Sequence, residues 1–280
     1  LGQRDRAMEQ LVTIGARIQA APWRYTDAPN LVACGDALLK MKAEPREVLL
    51  NFYDRAKKQN PDLVDAYLAI GNLALDKHDD ALAAEEFRAA EKKFPDDPDV
   101  QFGLARSLAS SDGKASLAAL EKTLEINPRH ISALLFQADK LIIAEQYAEA
   151  AARIEEVLAI NPRHPEAWAY RAVLAHFAAD PKGEQAFRDA GRGRTQGDPH
   201  VDHLIGRMLS RNYRFHEGAA YQRRALELDP EFAPATIQLA QDLLRLGNEA
   251  EGWKLAHAGF ERDGYDVVSF NLLTLQENLE

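Results

Sequence analysis

The chain has 280 residues, 46% of them hydrophobic and 28% charged, values usual for a folded soluble protein. Its formal net charge of -10 argues against nucleic acid as a main partner, because phosphate binding needs a broad cationic surface. A lone cysteine, Cys34, allows neither an internal disulfide nor a thiolate metal cluster, and no stretch approaches the roughly 20 apolar residues of a membrane span.

In chain order, the pattern predicts a first helix over about 4–20 and a connector to residue 29. From there prolines act as a ruler. Pro61, Pro95, Pro128 and Pro162 are spaced by 34, 33 and 34 residues, and Pro230 lies 68 residues beyond Pro162, with the missing tick on Gln196. Asn or Asp often precedes the proline, at Asn60, Asn127, Asn161 and Asp229. Proline lacks an N–H and disfavours helix in the residue before it, so each one stops a helix and prepares the next. The predicted repeats are 30–63, 64–97, 98–130, 131–164, 165–198, 199–232 and 233–266, followed by a lone or capping helix over 267–280. The third unit is one residue short near Asp112-Gly113. The fifth carries Gly183, Gly191 and Gly193, so a short or frayed second helix is expected there.

Within the units, residues recur in phase. Ala33, Tyr67, Gln101, Leu134, Trp168, Asp202 and Thr236 open them, and Ala37, Gly71, Ala105, Ala138, Ala172, Gly206 and Ala240 follow four residues on. Small residues at such places let two helices approach closely. The pattern resembles the tetratricopeptide-repeat (TPR) family through Tyr67, Ile70, Gly71, Ala83, Phe87, Ala90 and Pro95, and again through Leu134, Ala138, Leu141, Ala150, Ile154 and Pro162. The resemblance covers almost the whole chain. It implies an all-α fold, a right-handed α-α superhelix built as a solenoid of antiparallel helix pairs. It also implies a non-catalytic scaffold that binds a protein or peptide along its concave face.

In that architecture the first helix of each pair lines the groove. The expected groove residues begin with Leu31, Cys34, Leu38 and Met41 and continue through Asp65, Leu68, Asn72 and Asp76. Arg106, Leu135, Asp139, Val173, His176 and Phe177 follow in the middle, and His200, His203, Arg207, Arg211, Gln241 and Arg245 near the end. An apolar centre with a basic end suits an acidic or carboxylate-bearing partner, since arginine binds carboxylate bidentately. A known subgroup of the family grips chaperone C-termini with a clamp of lysines and asparagines. Leu68, Gly103, Ser132 and Phe136 stand at clamp positions here, so that docking mode is not expected.

Motifs of catalysis are incomplete. His216-Glu217 opens like H-E-x-x-H, but Ala220 replaces the second histidine that zinc needs one turn on. Gly191 to Gly197 does not fit the dinucleotide fingerprint and reads as a loop. His176, His200 and His203 read as polar groove histidines rather than metal ligands. No cofactor, metal or catalytic site is expected. The chain starts at Leu1, which reads as a processed or artificial start and leaves the compartment open, cytoplasmic or exported. Its last dozen residues resemble the junction in some large bacterial repeat proteins, where an Asn-Leu-Leu helix leads into a zinc-peptidase domain of the gluzincin type. That second resemblance implies a further domain after Glu280 and a substrate-positioning role for the repeats.

Overall fold

A computed structural model describes residues 4–193 and 198–279. Among them there is no strand. The chain divides into two compact units, Gln3–Ala133 and Leu134–Glu280.

The first unit holds α1 (Arg4–Ala20), a 3-10 turn (Pro22–Tyr25), α2 (Ala28–Lys40), α3 (Pro45–Val48), a π turn (Leu49–Tyr53) and α4 (Asp54–Gln59). Then come α5 (Val64–Asp76), α6 (Asp80–Glu91), α7 (Pro98–Ser107) and α8 (Gly113–Ile126). Next is α9 (Ile131–Ile143), inside which the division falls. The second unit continues with α10 (Tyr147–Ile160), α11 (Pro165–Phe177), α12 (Pro181–Arg192) and α13 (His200–Arg211). It ends with α14 (Phe215–Leu228), α15 (Ala233–Arg245), α16 (Glu249–Arg262) and α17 (Val267–Leu279). Consecutive helices pack as pairs, α5 on α6, α7 on α8, α11 on α12, α13 on α14 and α15 on α16.

The proline ruler has a local cause. The side-chain oxygens of Asn60, Asn127, Asn161 and Asp229 each accept the N–H two residues on, at 3.0–3.2 Å. This Asx turn reverses the chain around a proline that has no N–H to satisfy. The turn then needs a donor for the proline carbonyl. Tyr67 Oη donates to Pro61 O at 3.0 Å, Gln101 Nε2 to Pro95 O at 3.0 Å and Trp168 Nε1 to Pro162 O at 2.9 Å. Each donor stands six residues after its acceptor. The residues that open these units are therefore packing groups with a polar tip that closes the turn.

A second device joins the two helices of a pair. Lys42, His78, Glu145, Ala179 and Tyr213 have positive φ of 53–62°, and Gly247 has φ 79°. Each lies just past a first helix, and the next N–H reaches back to a carbonyl in the last turn, as Asp79 N does to Ala74 O at 2.8 Å and Asp180 N to Ala175 O at 2.9 Å. These are Schellman-type stops. The third unit, one residue shorter, has no such residue. Its Asp112 still caps α8, accepting from Ala115 N at 3.0 Å, as Asp79 and Asp180 cap α6 and α12.

Two expectations change. The first repeat is out of register with the expected one. Helix α2 starts at Ala28, and Lys42 precedes His78 by 36 residues, not 34. One extra residue sits in the turn before Pro45, and the π turn at Leu49–Tyr53 absorbs another. The fifth unit's second helix is not short. Helix α12 runs through Gly183 and Gly191 and stops at Gly193, φ 58°. Gly191 is thus helical and not in a loop. Gln196, with the rest of that motif to Gly197, lies outside the described residues.

Candidate functional site

Helices α2 and α5 of the first unit flank an open groove of about 700 Å³. Its apolar floor includes Pro29, Val32, Leu39, Leu68 and Leu73. Its polar rim is Asp36, Lys40, Asp65, Asn72 and Asp76. The floor follows from the period of both helices, since residues three and four apart share a face. On α5 the expected positions Asp65, Leu68, Asn72 and Asp76 all line it. On α2 they do not. Leu31 and Cys34 are 3% and 5% exposed and pack inward, while Ala33 and Asp36 take the groove. The two inserted residues caused this miss, and a 36-residue register would have put Asp36 at the phase of Asn72.

Tyr53 closes one side. It is 1% exposed and donates from Oη to Asp36 Oδ1 at 2.6 Å. Burial first, and the Asp36 carboxylate second, push its ionisation well above the usual tyrosine range, so it remains a donor. At another edge Arg106 Nη1 donates to Asn72 Oδ1 at 3.1 Å. Desolvation lowers the Arg106 pKa, with Asp76 opposing. Lys77 Nζ lies 3.1 Å from Asp76 Oδ2.

The second unit places its expected site residues differently. Leu135, Asp139 and Val173 are 4%, 5% and 0% exposed, so their side chains are packed inside and not open to a partner. Leu135 and Val173 belong to the apolar core, and Asp139 is answered across α9 and α13 by Arg211, Nη1 to Oδ2 at 2.7 Å. The basic end is likewise answered from within. Arg207 stands 4.0 Å from Glu166, and Arg245 stands 4.0 Å from Asp242 and stacks over Phe215 at 5.1 Å. Gln241 lies on α15 and Phe177 ends α11, its ring 5.5 Å from that of Tyr147.

The three histidines each bond a different partner, although His200 and His203 both pack on Phe232. His176 Nδ1 meets Glu184 at 3.0 Å, His200 Nδ1 meets Asp198 at 2.6 Å, and His203 Nδ1 meets Gln222 Oε1 at 2.8 Å. His203 is buried against Phe232, and desolvation lowers its pKa to about 4, leaving it neutral near pH 7. Among the described residues no group of three His, Cys, Asp or Glu could hold a metal ion, and no helix is long and apolar enough to cross a membrane.

No family profile matches the sequence, and no curated protein does. Solved structures do. The chain is similar to one from the APC/C hetero-tetramer Cut9-Hcn1, at 13% identity and TM-score 0.56, over 95% of this chain and 52% of that one. It is similar to yeast Tom70 at 18% identity and TM-score 0.59, over 99% of this chain and 61% of that one. YrrB, described as a TPR protein with an unusual peptide-binding site, aligns at 17% identity and TM-score 0.39, over 69% of this chain and all of that one. The chain thus spans between half and two thirds of the Cut9 and Tom70 chains it matches. With its helices packed in consecutive pairs, its fold is that of the TPR solenoids.

Proposed function

We propose that this chain is a non-catalytic scaffold that takes a protein or peptide segment against its first helices. The observation that carries this reading is the groove between α2 and α5. It joins an apolar floor at Val32 and Leu68 to a rim of exposed polar groups at Asp36, Asp65 and Asn72. Apolar contact there supplies affinity, and the rim supplies orientation. Ala33 is exposed and lines the same groove, so Ala33→Trp fills it without opening the core. Wild type and variant, both checked for helicity by circular dichroism, are compared in affinity capture with quantitative mass spectrometry. A partner set that Ala33→Trp depletes supports the reading, and an identical set for both proteins rejects it.

A second reading keeps a carboxylate-bearing partner at Arg207 and Arg245. Their ion pairs are at the 4.0 Å limit, and both side chains are nearly half exposed. Guanidinium groups so loosely paired suit a carboxylate. Arg207→Glu with Arg245→Glu then lowers capture of an acidic partner without unfolding the unit. Undiminished capture counts against it.

A further inference from the structure

The charge on the first unit's groove runs opposite to that of the basic end. We infer that the segment seated between α2 and α5 is cationic, an arginine- or lysine-bearing stretch of a partner protein that also carries apolar side chains. The inference rests on the groove reading above and specifies its occupant.

Three carboxylates line the groove, Asp36, Asp65 and Asp76, against a single lining cation, Lys40. Two further cations stand at the same rim and answer Asn72 and Asp76, which leaves Asp36 and Asp65 as its unneutralised carboxylates. Arg106 donates to Asn72, and Lys77 sits on Asp76. Asp36 takes a hydrogen bond from the neutral Tyr53 hydroxyl, which adds no positive charge. Among the described residues neither Asp36 nor Asp65 has a cation within ion-pair distance. Both are exposed, so they stay hydrated and available. Beside them lie Leu68, partly buried, and Val32, 8% exposed. An arginine or lysine can lay its aliphatic stem along such a floor and bring its charged head to the rim. A glutamate placed there would meet two unneutralised carboxylates at close range, which is repulsive in a groove less screened than bulk water. The chain's overall charge of -10 adds long-range attraction for the same class of partner, so the test must separate the groove from the general field.

Fluorescence anisotropy with two labelled peptides, one alternating arginine and leucine and its glutamate–leucine counterpart, makes that separation. The arginine peptide should bind the full chain and weaken as salt is raised. Asp36→Asn with Asp65→Asn should weaken it by about tenfold. The amide oxygen that replaces the Asp36 carboxylate can still accept from Tyr53, so the fold is kept. Glu121→Gln with Glu149→Gln removes two exposed charges on α8 and α10 and should leave binding unchanged. Equal loss in both variants would show only the general field and overturn the inference. Preference for the glutamate peptide, blocked by Ala33→Trp, would overturn the charge assignment and keep the groove. Binding of the arginine peptide untouched by Ala33→Trp would remove the groove itself. Self-association lost with the Asp36 and Asp65 changes would make the occupant a second copy of the chain and overturn the inference too.

Discussion

The ring of Phe87 on α6 lies against the backbone of Gly71 on α5. A Cβ built on Gly71 would stand 2.5 Å from Phe87 Cζ. A Cβ on Gly103 of α7 would press on the same ring, and Phe87 is 0% exposed. The same relation joins Gly35 to Tyr53 in the first repeat and Gly206 to Gln222 in the sixth. A missing side chain on the first helix makes room for a bulky one on the second.

Gly71→Ala should therefore destabilise the chain by about 2 kcal/mol in urea unfolding, because overpacking outweighs the gain in helix propensity. The ring has little room to move, being fully buried and close to Gly103 as well. Phe87→Leu in the same chain should recover much of the loss, making the pair less than additive. Simple additivity would show that the two residues do not press on each other.

The left-handed turn residues carry avoidable strain. His78→Gly and Ala179→Gly, at φ 56° and 53°, should each stabilise by roughly 0.5–1 kcal/mol, the relief of the left-handed backbone exceeding glycine's entropic cost. Gly247→Ala should cost about 1 kcal/mol by the same argument in reverse. Melting temperatures of the three variants check this, and a fall for both glycine substitutions would contradict it.

Acid should weaken the second unit through His203. Its folded pKa of about 4 lies below its ordinary value, because burial penalises the imidazolium, with Arg207 and His200 adding to this and Gln222 opposing it. The unfolded chain then binds more protons between about pH 6.5 and 4, so this contribution is complete above pH 6.5 and is lost as pH falls to 4. The loss amounts to about 3 kcal/mol at most. Burial lowers the His164 pKa in the same sense, while the raised Asp242 pKa acts oppositely. The informative quantity is the difference between wild type and His203→Gln. Its unfolding free energy should vary less with pH, and parallel profiles would exclude His203 as the source.

The pair between Arg211 and Asp139 is one-sided, with side-chain exposures of 48% and 6%. Arg211→Met strands a buried carboxylate and should cost about 1–2 kcal/mol, discounted for the exposed arginine. Adding Asp139→Asn should return most of it. Chemical denaturation of the single and double variants measures this, and no recovery in the double variant would mean that the ion pair is not the cause.

Much of the architecture is written in local chemistry. Proline's missing N–H and the Asx turn at Asn60, Asn127 and Asn161 act within a few residues, so they mark helix ends in any context. The small residues at Gly71 and Gly206 repeat at a fixed phase and foretell close helix contact. The α5 face of the groove, from Asp65 to Asp76, was legible for the same reason, since one helix has one period. Other features depend on residues brought together from afar. The turn residues Lys42, Glu145 and Tyr213 have no glycine to announce their left-handed backbone; the packing of the pair imposes it. The π turn at Leu49–Tyr53 shifts the first repeat, and only the folded register brings Asp36 into the groove that Asp65 lines. Nor does helical phase reveal that Arg211 of α13 reaches Asp139 of α9. Periodicity states which face a residue is on, but the partner on that face comes from packing, and packing made one set of first helices an open acidic groove and closed another over Val173.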